Sequence, residues 1–312
     1  FKKIGSSNNT KNAAIYNPKK NIYCLQFHPE VTHTKNGQII INNFVYKVCG
    51  CIKTWTTKNI IKDITKKLQD QVGKKNIILA LSGGVDSTVV AALLNKALPK
   101  QLTCVFIDTG LLRKNEVLEV QTNISKKLGI KLITINAKKI FFKNLKGVSH
   151  PEKKRKIIGE TFIRLFEAHA SKIKNIDYLA QGTIYPDIIE SSSKDAKSEI
   201  IKSHHNVGGL PKRMRFELVE PIKLLFKDEV RRIGRALKIP VKLIDRHPFP
   251  GPGLAVRIIG EVSQDRVAIL QEVDNIFIEE LHKNNIYNKI SQALAVFLPI
   301  KSVGVMGDQR QY

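Results

Sequence analysis

Ser82-Gly83-Gly84-Val85-Asp86-Ser87-Thr88 brings together the parts needed to hold a phosphate. An apolar run at 77–81 stops at a serine and two glycines, and a helix-forming stretch follows through Ala97. Strand, tight loop and helix start, in that order, make an anion site. Glycines let the backbone turn sharply and approach a ligand closely. The first N–H groups of a helix have no intrahelical partner, and the helix dipole favours negative charge beside them. Ser82, Ser87 and Thr88 add hydroxyl donors. Asp86 stands where a carboxylate would hold a magnesium ion bridging phosphates, since magnesium takes one or two carboxylates together with substrate oxygens. A Gly-Gly pair alone is ordinarily a turn, and Asp-Ser alone a helix cap. The preceding strand and following helix favour phosphate binding. The G-x-x-x-x-G-K pattern of a Walker loop is absent, and no lysine follows the glycines.

The elements that position this loop follow from hydrophobic patterning. Between 55 and 247, short β-rich runs (77–81, 103–107, 131–135, 178–181) alternate with helical patterns (88–97, 116–128, 151–172, 227–237). Such alternation predicts a parallel sheet covered on both faces, with ligands beyond the C-terminal strand ends. Phe106-Ile107-Asp108 ends the next strand. Residues 1–54 carry one strand pattern at 21–27, then His28-Pro29-Glu30 and a helical pattern through Phe44 and Val48. This piece is too small for an independent core. Cys24 in that strand reads as core packing. After His247, the Pro/Gly-rich 248–253 cannot continue a helix or a central strand. A strand at 254–262, a helix at 263–281 opening on Ser263, and strand-like pieces at 293–305 are expected beyond it.

The chain has 312 residues, enough for about two domains, and its 42% hydrophobic content can build a substantial core. No apolar stretch is long enough to span a bilayer. The start, Phe1-Lys2-Lys3, reads as a cut end. Four scattered cysteines (Cys24, Cys49, Cys51, Cys104) fit free thiols in a reducing cytoplasm rather than a zinc site. The formal charge of +25 suggests nucleic acid. However, lysine greatly outnumbers arginine and accompanies abundant Ile and Asn, which share A- and T-rich codons. The lysines are also spread along the chain. No specific nucleic-acid partner is expected.

The loop resembles the pyrophosphate loop of the N-type ATP pyrophosphatases. Further motifs are QFHPEVTHT at 26–34, SGGVDST at 82–88, FIDTGLLRKNE at 106–116, KRKIIGETF at 154–162, QGTIYPDIIES at 181–191, IKSHHNVGGLP at 201–211, FKDEVRRIG at 226–234, RHPFPGPGLAVRIIGEV at 246–262 and KSVGVMGD at 301–308. With these the chain resembles, over essentially its whole length, the glutamine-hydrolysing GMP synthetases.

The resemblance implies an α/β protein in three parts. These are the tail of a class I glutamine amidotransferase domain at 1–54, a parallel-sheet ATP pyrophosphatase domain (adenine nucleotide alpha hydrolase-like) at 55–247, and a smaller, incomplete α+β dimerisation domain at 248–312. It implies ATP, XMP and glutamine as substrates, Mg2+ with ATP, and a cytoplasmic homodimer. His28 and Glu30 match the glutaminase triad, whose cysteine would lie upstream. Ser82, Gly83, Gly84, Val85, Asp86, Ser87 and Thr88 would cradle pyrophosphate and magnesium, with Lys227 adding a cation. Phe106, Ile107 and Asp108 would approach the adenosine. Arg155 and Arg310 would contact XMP. Lys202, His204 and His205 would sit at the reacting centre, in a lid spanning 190–209.

Two other readings stand beside this one. Another ATP pyrophosphatase, NAD synthetase-like or a tRNA sulfurtransferase, would share SGGVDS but not QFHPEV. A basic binding module without catalysis would need neither the loop nor a lid.

Overall fold

The computed structural model describes residues 1–173, 175–192, 216–306 and 309–311. It divides into two compact units, Phe1–Thr56 and Thr57–Tyr312.

The first unit is an antiparallel sheet of β1 (Lys2–Ser7), β2 (Thr10–Asn17) and β3 (Ile22–Leu25), in the order β1-β2-β3. Asn17 Oδ1 accepts from the backbone N–H groups of Lys19 and Lys20 (3.0 and 3.1 Å) and shapes the β2–β3 turn. Helix α1 (Gly37–Asn42) follows and runs on in helical turns through Val48. The pattern at 21–27 thus marks one strand of three. β1 and β2 carry no clean apolar alternation because almost nothing on them is buried, Ala14 being the exception. Cys24 is exposed, which corrects the expectation that it packs in a core: every residue of β3 is exposed.

The second unit is built on a parallel sheet of β4 (Asn76–Leu81), β5 (Leu102–Asp108), β6 (Lys131–Asn136), β7 (Ile176–Ala180) and β8 (Glu217–Val219). The strand order is β6-β5-β4-β7-β8, every pair parallel. The helices are α2 (Thr57–Val72), α3 (Val85–Ala97), α4 (Glu116–Gln121), α5 (Lys138–Leu145), α6 (Pro151–Ala170), α7 (Tyr185–Ser192), α8 (Lys227–Ala236), α9 (Val241–Ile244) and α10 (Gln264–Lys283).

Successive strand side chains point to opposite faces, and β4 shows this directly. Ile77, Leu79 and Leu81 join a core with α2, α3 and α8. Ile78 joins a second core with α5, α6, α10 and the segment around Leu254. β5 is buried at every residue, which explains why the strands at 77–81 and 103–107 read as unbroken apolar runs. On α3, Val89, Val90, Leu93 and Leu94 are fully buried, each contributing about 2 kcal/mol on transfer from water. The chain steps outward from β4 to β5 and β6, then returns to place β7 on β4's other side. That reversal opens a crevice at the C-terminal ends of β4 and β7, where ligands bind in open α/β sheets.

The segment after residue 247 departs from expectation. The strand expected at 254–262 is a 3-10 turn (Gly253–Arg257), followed by an isolated parallel bridge between Ile258 and Phe297. Leu254 donates its N–H to Leu111 O (2.7 Å), a loop carbonyl rather than a strand neighbour. Arg257 turns inward to Asp274 of α10 at 3.0 Å. The run is apolar because it is buried, not because it pairs in a ladder. Of the apolar stretch at 293–305, only β9 (Gly304–Met306) begins a paired strand, against β10 (Gln309–Gln311). α10 opens as expected, with the Ser263 side chain accepting from Arg266 N. Amphipathic α2 was not anticipated, nor were the short α5 and α7.

Gly253 has φ +64, and a Cβ there would lie 2.3 Å from Leu111 O. Gly129 has nearly the same φ, +63, and open space around it. Gly129→Ala should therefore cost only the backbone term, about 1 kcal/mol. Gly253→Ala should cost several times that and lower the unfolding temperature accordingly. Equal unfolding midpoints for the two variants in urea would show that the Leu111 contact yields freely.

Candidate active site

The loop between β4 and α3 is organised by its own hydroxyls. Ser82 Oγ lies 3.1 Å from Ser87 Oγ and accepts from Gly84 N at 3.3 Å. Ser87 Oγ and Thr88 Oγ1 donate to Gly84 O at 3.1 and 2.9 Å. Gly83 takes φ +77, which a side chain would strain. The result is a tight turn feeding the N-terminus of α3, with Asp86 in its first turn.

Asp86 stands where these contacts converge. Its Oδ2 accepts from Lys227 Nζ at 2.6 Å, across 141 residues of chain. Its Oδ1 is buried and has no hydrogen-bond partner among the described residues. Lys227 is the first residue of α8, whose start is fixed by Phe226 N donating to Glu229 Oε2 at 2.9 Å. The sheet's reversal brings β7 to the same place: a side chain at Gly182 would touch Ser87 N at 3.4 Å. Thr183 beside it has a buried Oγ1, also without a hydrogen-bond partner among the described residues. Two unsatisfied buried oxygens thus stand at the switch-point crevice.

The remaining candidates are distributed. Asp108 ends β5, accepts from Gly110 N at 3.0 Å and pairs with Lys138 Nζ at 3.3 Å. Phe106 and Ile107 are buried in opposite cores, so their side chains hold the strand in place. Arg155 pairs with Glu152 on α6. Its neighbour Lys154 is buried, with Nζ donating to Ala255 O and Ile258 O at 3.1 and 2.7 Å. Burial, and secondarily the charge of Arg266, holds the Lys154 ammonium below the usual lysine range. Lys202, His204, His205 and nearly all of the expected lid lie outside the described residues. Arg310 sits in β10 opposite Val305.

In the first unit, His28 Nδ1 donates to Glu30 Oε1 at 2.9 Å, and both side chains are exposed. A backbone hydrogen bond and then the His28 contact hold the Glu30 carboxyl below its usual value. Fixing the proton on Nδ1 leaves Nε2 as the free base in the neutral ring.

Four site-facing residues escaped the sequence reading: Thr183, Lys138, Glu116 and Arg246. Thr183, Glu116 and Arg246 lie inside motifs already quoted, but nothing in a motif says that side chains more than a hundred residues apart will meet. Among the described residues, no group of three or more His, Cys, Asp or Glu forms a metal cluster, and no helix is long and apolar enough to cross a membrane.

Three family profiles match the chain: glutamine amidotransferase class-I at residues 1–48, NAD synthase at 56–162, and GMP synthase C terminal domain at 279–312. The glutamine-hydrolysing GMP synthase of Ruthia magnifica subsp. Calyptogena magnifica is 56% identical over the whole chain. Those of Methylococcus capsulatus and Vibrio cholerae are each 53% identical, again over the whole chain. Over its whole length the chain is thus similar to the glutamine-hydrolysing GMP synthases. It spans 60% of the length of each of these relatives. The parallel sheet with its SGGVDST loop is an NAD synthase-like ATP pyrophosphatase fold, and the amidotransferase match falls within the first unit.

Cys104, on central strand β5, is buried, and burial pushes its thiol up to about 12. Thiolate is the reactive form, so at pH 8 Cys104 should resist alkylation in the native protein and react only after unfolding. Peptide mapping after iodoacetamide treatment checks this. Native-state labelling of Cys104 would mean that β5 opens readily.

Proposed function

We propose that the second unit adenylylates XMP with ATP and that the first belongs to a glutaminase supplying ammonia: ATP + XMP + glutamine + water → GMP + AMP + pyrophosphate + glutamate. The observation that carries this is the half-satisfied Asp86, set between Lys227 and the start of α3 at the sheet's switch point. Identity of 53–56% to glutamine-hydrolysing GMP synthases favours the chemistry of those enzymes. The corresponding domains would be 1–54, 55–247 and 248–312.

Asp86 Oδ1 fits a magnesium ion: it is buried, has no hydrogen-bond partner among the described residues, and lies at the loop where phosphate oxygens would complete the coordination. When bound, the ion would neutralise charge on the bridging phosphates. The protein's own part is positioning and charge stabilisation at the departing pyrophosphate. The α3 N-terminus would donate to it, the Ser82, Ser87 and Thr88 hydroxyls would do so on turning from their partners within the loop, and Lys227, already fixed by Asp86, would add a cation. Asp108 would border the adenosine; Arg155 and Arg310 would contact XMP; Lys202, His204 and His205 would close over the reacting oxygen. Attaching AMP turns a poor leaving group into a good one, which ammonia then displaces. His28, held by Glu30, would serve as base for a thiol outside this chain. A cytoplasmic homodimer accords with this assignment. Ile269, Val273, Ile276 and Phe277 form an exposed apolar stripe on α10 at helical spacing, suited to a second copy.

In the full-length protein, Asp86→Ala should reduce ATP–pyrophosphate exchange by about 100-fold or more, the scale of losing a preorganised electrostatic contact. Exchange at the wild-type level would sink the assignment.

His28→Ala should lose glutamine-dependent GMP formation and keep the ammonia-dependent reaction. Equal loss with both nitrogen sources would show that His28 is not confined to the glutaminase.

A further inference from the structure

We propose that Arg246 is a positioning residue that sets the phosphate loop through the carbonyl of Gly83. The inference rests on the pyrophosphate role assigned to that loop above. Arg246 NH1 donates to Gly83 O at 3.2 Å, across 163 residues, while its NH2 pairs with Glu116 Oε1 at 2.6 Å. Glu116 is buried, and its Oε2 accepts from Arg113 N at 2.9 Å. A Cβ built on Gly83 would stand 3.2 Å from Glu116 Oε1. The turn therefore rests directly on this ion pair.

The consequence follows from peptide geometry. Gly83 C=O and Gly84 N–H belong to one planar unit and point in opposite directions. Holding the carbonyl fixes the direction of the N–H, which now faces only Ser82 Oγ at the long distance of 3.3 Å. With no Cβ on either glycine, this peptide is the easiest in the loop to flip. A guanidinium on the carbonyl blocks the flip and polarises the unit, so that Gly84 N–H is a stronger donor toward an anion.

Stability alone does not account for the pair, because buried ion pairs gain little over apolar packing. The other bonds of this one go to loop backbone, at Gly83 and at Arg113, so its effect is on shape. Arg246 also leads into His247, which is locked in the C-terminal segment. His247 N donates to Tyr287 OH at 2.8 Å, its Nδ1 accepts from Ala293 N at 3.1 Å, and its ring stacks on Tyr287 at 3.8 Å. The aim of Arg246 is thereby set by residues after 247 rather than by the sheet that carries the loop.

The test uses the full-length protein and three readouts: ATP–pyrophosphate exchange, product inhibition by pyrophosphate, and KM for XMP in the ammonia-dependent reaction. Arg246→Gln should slow exchange and weaken pyrophosphate inhibition by about tenfold or more, leaving KM for XMP and glutaminase activity unchanged. Arg246→Lys should recover part of the inhibition, because it keeps the charge but lacks the planar fork whose two nitrogens separately reach Gly83 O and Glu116 Oε1. It also carries the test where Arg246→Gln fails to fold. Pyrophosphate inhibition at the wild-type level in either variant overturns the inference, as does an equal rise in KM for XMP, which marks general loosening. Absence of exchange in the wild-type protein removes the synthetase assignment and this inference with it. Normal wild-type exchange with unaltered variants removes only the role of Arg246.

Discussion

Asp86 is tied to Lys227 through one oxygen, 2.6 Å away, while its other oxygen is buried without a hydrogen bond among the described residues. A buried, unsatisfied carboxylate oxygen costs stability. A fold retains it where the missing partner arrives with a ligand. The surrounding structure can be understood from that constraint. α3 must begin at Val85 so that its dipole offsets the carboxylate. α8 must begin at Lys227 so that a cation meets it. β7 must lie beside β4 so that Gly182 and Thr183 close the crevice.

Strand order makes this possible at modest cost. β4 lies at the centre of the sheet with a core on each face, so the strand that launches the loop is among the least mobile parts of the molecule. Within the loop the glycines carry the greatest conformational freedom, and the turn is restrained by contacts to its side. One is the Ser82, Ser87 and Thr88 hydroxyl set, local in sequence. The other is the Arg246–Glu116 pair, which reaches in from distant segments. In the proposed role, binding and releasing a highly charged leaving group, the loop would need such restraint, because reorganisation during reaction subtracts from the stabilisation its dipoles provide.

β4 and β5 were legible in the sequence because they are buried on both faces, and β6 and β7 because periodic helices separate them, whereas the three-residue edge strand β8 is too short and too little buried to leave a pattern. The loop was legible because its motif is contiguous. What failed to read did so for physical reasons. β1 and β2 bury almost nothing, so they leave no period in the sequence. The run at 254–262 has strand composition, yet its backbone is satisfied by a loop carbonyl and a single bridge. Composition reports burial and not pairing. Cys24 lies in a true strand but on an exposed face, so an apolar neighbourhood in sequence did not place it in a core. Lys227 could be named from its motif, but its bond to Asp86 could not, since tertiary structure alone unites residues so far apart. Thr183, Glu116 and Arg246 were missed for the same reason.

The tripeptide Lys154-Arg155-Lys156 shows how little net charge says about phosphate binding here. Lys154 is turned inward, where its ammonium replaces water with two backbone carbonyls. Arg155 is spoken for by Glu152 one turn away. Lys156 is exposed. Three adjacent cations thus have three separate environments, and only two of them face solvent to any degree. The same holds at the loop. Lys227 matters because α8 starts opposite Asp86, and Arg246 because it bridges a carbonyl and a carboxylate. Neither effect scales with the formal +25. Diffuse charge attracts polyanions weakly and is screened over about 10 Å at moderate salt. A fixed cation within hydrogen-bond reach is not screened in that way. In the proposed site, recognition of a phosphate would therefore be a property of where two helices begin and how one glycine peptide is held.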